Sequence, residues 1–250
     1  MPGRIDLSRP RSVALGAVLL GVVGGLLAAL LLTFVGEPRI EQAIKLEQAQ
    51  AGHSVAGEPE IVSRSVQKGV GLFAAYAVTG AAFGLLFAVA FWAFRGSRPD
   101  PFHRALVAGA ILAGALTVAP WLKYPPNPPA VGDPDTQAKR QILYISVICL
   151  TAVVGMAAAA LSTRLRRDGW PEARRTVAVV AAVVVPLGLA FVLLPGAPDP
   201  ITVPAKLLWS FRLASLSGNL LLWTVITLGF GVLASASASE RSPVLSTRSP

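Results

Sequence analysis

The sequence predicts an all-α integral membrane protein, a six-helix transmembrane bundle with both termini in the cytoplasm. Three observations carry that prediction. Hydrophobic residues make up 54% of the 250 and charged residues only 14%, with a mean hydropathy of +0.62; soluble domains carry about 25% charged residues. Six apolar stretches approach the roughly 20 residues that a membrane-spanning helix needs. Basic residues also gather on alternate connecting segments.

The apolar stretches are Val13–Val35, Val70–Phe94, Ala105–Leu122, Ile142–Leu161, Val177–Leu194 and Leu213–Ala234. The first follows Arg4, Arg9 and Arg11 as a signal peptide would. Its apolar core is too long for one and no A-x-A site follows, so it reads as a retained span. The third and fifth are short, and Pro186 predicts a kink in the fifth. Of the connecting segments, one set has 13 basic and five acidic residues and the other nine and eight. The positive-inside rule puts the more basic set, with both termini, in the cytoplasm, anchored by RRDGWPEARR at Arg166–Arg175. In this setting the net charge of +9 describes membrane orientation, and nucleic acid is not an expected partner. The implied organisation is a cytoplasmic N-terminus (1–12), a six-span domain (13–234) with outer loops 36–69, 123–141 and 195–212, and a disordered cytoplasmic tail (235–250).

Inside the spans the expectation is structural. Gly21 and Gly25, and Gly80 and Gly84, are four apart and let helices approach closely; Gly109, Gly114 and Gly155 fit the same role. Cys149, the single cysteine, and Met156 read as packing groups, and Asn219 as the donor of an interhelical hydrogen bond. No carboxylate or histidine interrupts a span, so a cation carried here must use outer loops, helix ends, backbone carbonyls or another subunit.

The outer segments hold the chemistry. Glu37-Pro38 and Glu58-Pro59 look like helix starts. Glu37, Glu41, Lys45 and Gln48 share one face of the first helix, with Glu41 and Lys45 an i,i+4 pair, and the second span begins near Pro59. Arg64 and Arg212 are expected to hold carboxylates in place, Arg212 being deep enough to need one. Lys123–Thr136, KYPPNPPAVGDPDT, has five prolines and two aspartates. Capping explains Asp133 and Asp135, with Pro134 at the first helical position. It does not explain Pro125, Pro126, Pro128 and Pro129 around Asn127, which read as a stiff collar across the outer helix ends. Its carbonyls and the nearby acids are hard oxygen donors suited to a hydrated divalent cation.

GEPRIEQAI (Gly36–Ile44), VSRSVQKGVGL (Val62–Leu72), the proline stretch and WSFRLASL (Trp209–Leu216) together resemble the CbtA family of probable cobalt transporter subunits over most of the chain. The resemblance implies a multi-pass protein of the cell membrane that serves cobalt uptake. On that resemblance the cobalt ion is expected to be the transported substrate, with no cofactor permanently bound. It also implies a small one-span CbtB-type partner subunit within the lipid bilayer; a homo-oligomer is a further option. Candidate metal contacts are Asp133 and Asp135, then Glu37 and Glu41, then His53, the one histidine of the first outer loop. An ATPase of the Walker type is excluded by the absence of G-x-x-x-x-G-K-[ST]. The chain is not expected to be an enzyme, lacking H-E-x-x-H and G-x-S-x-G. The alternatives are a membrane enzyme acting on a lipid-linked substrate with the clustered acids as acid and base, and a non-transporting scaffold.

Overall fold

A computed structural model describes residues 5–51, 62–96, 100–129, 131–132, 134–197, 201 and 203–239. Among these there is no strand, and six helical stretches are long and apolar enough to cross a membrane. The chain runs α1 (Pro10–Val35), α2 (Glu37–Ala51), α3 (Arg64–Val66), α4 (Leu72–Ala93), α5 (Pro101–Ala113), α6 (Ala119–Lys123), α7 (Gln137–Arg167), α8 (Glu172–Leu193), α9 (Ala205–Thr224) and α10 (Phe230–Ser239). Three spans contain a widened π-helical turn, at Gln67–Gly71, Gly114–Val118 and Val225–Gly229. Each turn joins the short and long helices around it, so α3–α4, α5–α6 and α9–α10 are each one span.

The centre is the α1–α4 pair. With no water to expel, helices in a bilayer associate through close packing, which small residues permit. A Cβ added at Gly21 would lie 2.0 Å from the Gly80 carbonyl oxygen, and one at Gly25 would lie 2.1 Å from that of Tyr76. Gly84 faces the Ala17 carbonyl in the same way, at 2.3 Å. The two backbones touch, and only glycine fits between them. Gly109 of α5 is filled by Thr227. Against this ridge Phe87, Phe91 and Phe230 form a ring cluster, with Phe91 and Phe230 edge-to-face at 4.8 Å, and Phe83 stacks on Trp223 at 4.8 Å.

The α7–α8 hairpin is attached differently. α8 has no buried residue, and Gly114, Gly155 and Gly188 have nothing within 4 Å of an added Cβ. The expectation that Gly114 and Gly155 mediate close packing is therefore corrected. They line an apolar groove of about 610 Å³ between α5, α6, α7 and α8. Its one hydroxyl, Thr151 Oγ1, is bonded to the carbonyls of Ala115, Val147 and Ile148, so the groove has no ion chemistry. Pro186 is accommodated within a single helix, Glu172–Leu193.

At the terminal end, Ile5 is buried against α1 and its amide donates to Ser237 Oγ at 3.3 Å. Ala234 is fully buried, and α10 continues to Ser239. Residues 235–239, expected in a disordered tail, are thus helical, because the N-terminal segment packs on them; residues 240–250 lie outside the described residues. Here also Asp100 caps α5, accepting from the amides of His103 and Phe102 at 3.0 and 3.3 Å. Those bonds, the His103 amide first, hold its carboxyl below the ordinary value.

Candidate functional site

At the opposite end, α2 leaves α1 at Gly36 and is laid across the bundle by two kinds of contact. Ala43 and Leu46 join Val131, Val203, Leu207 and Leu208 in a small apolar cluster of their own. The other face makes two ion pairs with the turns that begin the second span. Arg64 donates a short hydrogen bond to Glu37, and Lys68 approaches Glu41 at 3.2 Å. The sequence predicted a helix-surface pair between Glu41 and Lys45; the partner observed is 27 residues away.

The two pairs differ in setting. Glu41 and Lys68 are both about half exposed, at 47%, where an ion pair is worth about 0–1 kcal/mol. Glu37 is 8% exposed. It lines a pocket of about 190 Å³ with Tyr76, Ser215 and the apolar residues Leu32, Ile40, Leu72 and Phe211. Arg64 Nε is buried without a hydrogen-bond partner among the described residues. Burying a carboxylate is costly unless a cation compensates it.

The proline segment is fixed at both ends and in the middle. Lys123 Nζ donates to the Phe191 and Leu194 carbonyls at 2.8 and 2.9 Å, satisfying the end of α8. Tyr124 Oη donates to the Pro195 carbonyl at 2.8 Å, and burial raises this phenol above its ordinary value. Pro128 is fully buried, and Val131 enters the cluster with α2. Gly132 takes φ +124°, and a Cβ there would meet the Arg140 guanidinium at 2.0 Å, so the position needs glycine. The segment is a strap from α8 across to α9 and α2.

Arg212 is what holds the strap's middle. Its guanidinium donates to Asn127 Oδ1 at 2.9 Å and to the Pro126 carbonyl at 3.4 Å, and lies 5.5 Å from the Trp209 ring centre. No carboxylate among the described residues pairs with it, which corrects the expectation of an acidic partner. Neutral oxygens suffice because the guanidinium has five donors spread over a weakly hydrated plane. Arg64 and Arg212, expected in one role, therefore serve two: one neutralises Glu37, the other latches the strap.

Of the remaining candidates, Asp135 alone lies among the described residues. Asp135 is exposed in the turn Pro134–Thr136 that leads into α7. Asp133 and His53 lie outside the described residues, as do Glu58 and Pro59. Among the described residues no three His, Cys, Asp or Glu side chains come together. Asn219, expected to bond across helices, donates to its own helix at Ser215 O, 2.9 Å away. The sequence reading missed the buried bond from Trp223 Nε1 to Thr117 Oγ1, at 2.9 Å. The only signal for it was a threonine near a glycine in an apolar run.

The family model for CbtA, probable cobalt transporter subunit, covers residues 11–235. The chain belongs to the CbtA family. It is a multi-pass membrane protein of a family of probable cobalt transporter subunits, and a subunit implies a partner. All four motifs that carried the resemblance lie within the matched residues. No curated protein and no solved structure matches the chain.

Proposed function

We propose that this CbtA chain is the membrane subunit of a cobalt uptake system of the plasma membrane, with its strap end outside and both termini in the cytoplasm. Cobalt is the transported substrate and a small one-span CbtB-type subunit the partner. Glu37 and Glu41 gather the ion. The observation that carries this role is the Glu37 carboxylate, almost buried, at the wall of a pocket between α1, α4 and α9, and neutralised by a single arginine. A divalent ion is a stronger counter-charge than Arg64 and is suited to the same hard oxygens. Exchange of one cation for the other keeps the buried carboxylate compensated throughout. Glu41, more exposed and one turn along α2, is placed to hold the ion before that exchange.

Asp133 and Asp135 remain part of the proposal as outer contacts, and His53 as a contact from the first outer loop. The enzyme alternative gains no support: Glu37 and Glu41 face basic groups and not one another. The test is cellular metal content by mass spectrometry, with cobalt, nickel, zinc and magnesium measured in cells with and without the chain and its partner. Cobalt accumulation that needs the chain is expected. Unchanged cobalt, with the chain shown to be in the membrane, would remove the uptake reading.

A further inference from the structure

Beneath the strap lies a partly open cavity of about 130 Å³, room for about four waters at roughly 30 Å³ each. Several neutral polar groups of the spans converge on it. Thr117, Ser215, Asn219 and Tyr144 line it, with Trp121, and Pro126 of the strap is in its wall. Tyr144 is 39% exposed and Ser215 half-buried, so neither side chain is sealed in protein. Asn219 spends only its amide nitrogen, on Ser215 O. Unpaired polar groups at membrane depth are costly unless water or an ion meets them. Thr117 belongs to one of the π-helical turns, a distortion frequent at functional sites.

The cavity has a neighbour on each side. Ser215 also lines the Glu37 pocket. Pro126 and Tyr144 also line an open cleft of about 660 Å³ on the far side of the strap, with Asn127, Arg140 and Gln141. Only the strap and one tyrosine separate the chamber from that cleft. Arg212 precedes Ser215 by three residues on α9, so the two share a face, and Asn219 follows about 10 Å deeper.

We propose that the Thr117–Ser215–Asn219–Tyr144 chamber is a hydrated station for the divalent cation within this chain, beyond Glu37, and that the strap latched on Arg212 is its gate. The inference rests on the cation-uptake reading above. While Arg212 holds Asn127 and the carbonyl of Pro126 in the chamber's wall, its positive charge beside the chamber opposes a divalent ion, since like charges repel strongly where water is scarce. Latch and cation exclude one another, as a gate requires. Once the strap lifts, the chamber offers hydroxyl and amide oxygens in place of part of the ion's water shell.

The test separates the chamber from the cobalt reading. In a Cys149→Ala background, Ser215→Cys and Asn219→Cys are exposed from outside to a membrane-impermeant cationic methanethiosulfonate, with lipid-facing Leu220→Cys as control. Modification of the two chamber cysteines and not the control is expected. Releasing the latch, by Arg212→Gln or separately by Asn127→Ala, should raise the rate at least tenfold. Unreactive chamber cysteines in both released backgrounds, in protein that elutes like wild type, would overturn the chamber. Separately, Asn219→Leu should lower cobalt accumulation tenfold or more at unchanged membrane level; wild-type accumulation would show a wet chamber that is not on the ion's path. Accessible cysteines with no cobalt uptake by the parent chain would instead sink the uptake reading on which the station depends.

Discussion

Between α1 and α4, glycines bring two backbones into contact; between α5, α7 and α8, glycines face open space. The residue type is the same and its neighbours decide its meaning. In the first region a methyl group has nowhere to go, because the atom it meets is a backbone carbonyl. In the second, Gly114, Gly155 and Gly188 leave a groove that lipid or a second subunit can fill. Rigidity is thus concentrated in α1, α4, α5 and the α9–α10 span, which carry Glu37's pocket and one wall of the chamber. The α7–α8 hairpin is tied on through Thr151, Lys123 and Tyr124.

The largest effect should come from breaking that contrast directly. Gly80→Leu drives a side chain into the Gly21 carbonyl, and overpacking a close contact costs about 1–3 kcal/mol or more; loss of folded protein in detergent is expected. Gly155→Leu, by contrast, should leave yield and elution unchanged. Equal sensitivity at the two positions would erase the distinction between the halves.

The two arginines sharpen the comparison at the strap end. Arg64→Ala strands the Glu37 carboxylate. Removing one partner of a fully buried pair costs about 3–5 kcal/mol, and Arg64's 28% side-chain exposure puts the expected loss below that, readable as a fall in thermal midpoint. Arg64→Ala/Glu37→Gln should recover most of it. Arg212→Gln removes a part-buried, charged hydrogen bond to Asn127, an interaction worth about 1.5–3 kcal/mol. Faster proteolysis within residues 123–132, without loss of the folded core, is the expected sign. A global loss of fold would make Arg212 a core residue and not a latch.

How far the sequence could reach is clearest from these same residues. Six spans, the helix start at Glu37 and the α1–α4 glycines were legible, because span length and four-residue spacing are local properties. Which carboxylate meets which cation was not. The Glu41–Lys68 pair links α2 to the start of the second span, and nothing in the local pattern of α2 favours it over Lys45. Arg212 was misread because depth suggests charge compensation, whereas the partner is an amide on a strap 85 residues earlier. The π-helical turns and the chamber had no sequence signal, since each depends on how three spans meet.

Two smaller effects test the packing at either end. Trp223→Phe keeps the ring beside Phe83 but leaves Thr117 Oγ1 without its donor, a loss of about 1 kcal/mol visible as a slightly lower thermal midpoint. Asp100→Asn should weaken the start of α5 least of all, and with a defined pH dependence. The folded carboxyl titrates below its unfolded value, so its stabilisation is present above the unfolded value, about 3.9, and disappears as pH falls through the folded one. Wild type and variant should therefore differ at neutral pH and converge below about pH 4. A difference that persists in acid would point to a role for Asp100 other than the cap.

The central claim is that one almost buried carboxylate receives the ion. The most direct measurement is the initial rate of cobalt accumulation in cells carrying Glu37→Gln, compared with Glu47→Gln, a change at an exposed acid of the same helix, at matched membrane levels. A drop of tenfold or more for Glu37→Gln, with Glu47→Gln at the wild-type rate, is the result expected. Wild-type rates for both variants would contradict the account and leave Glu37 as no more than Arg64's partner.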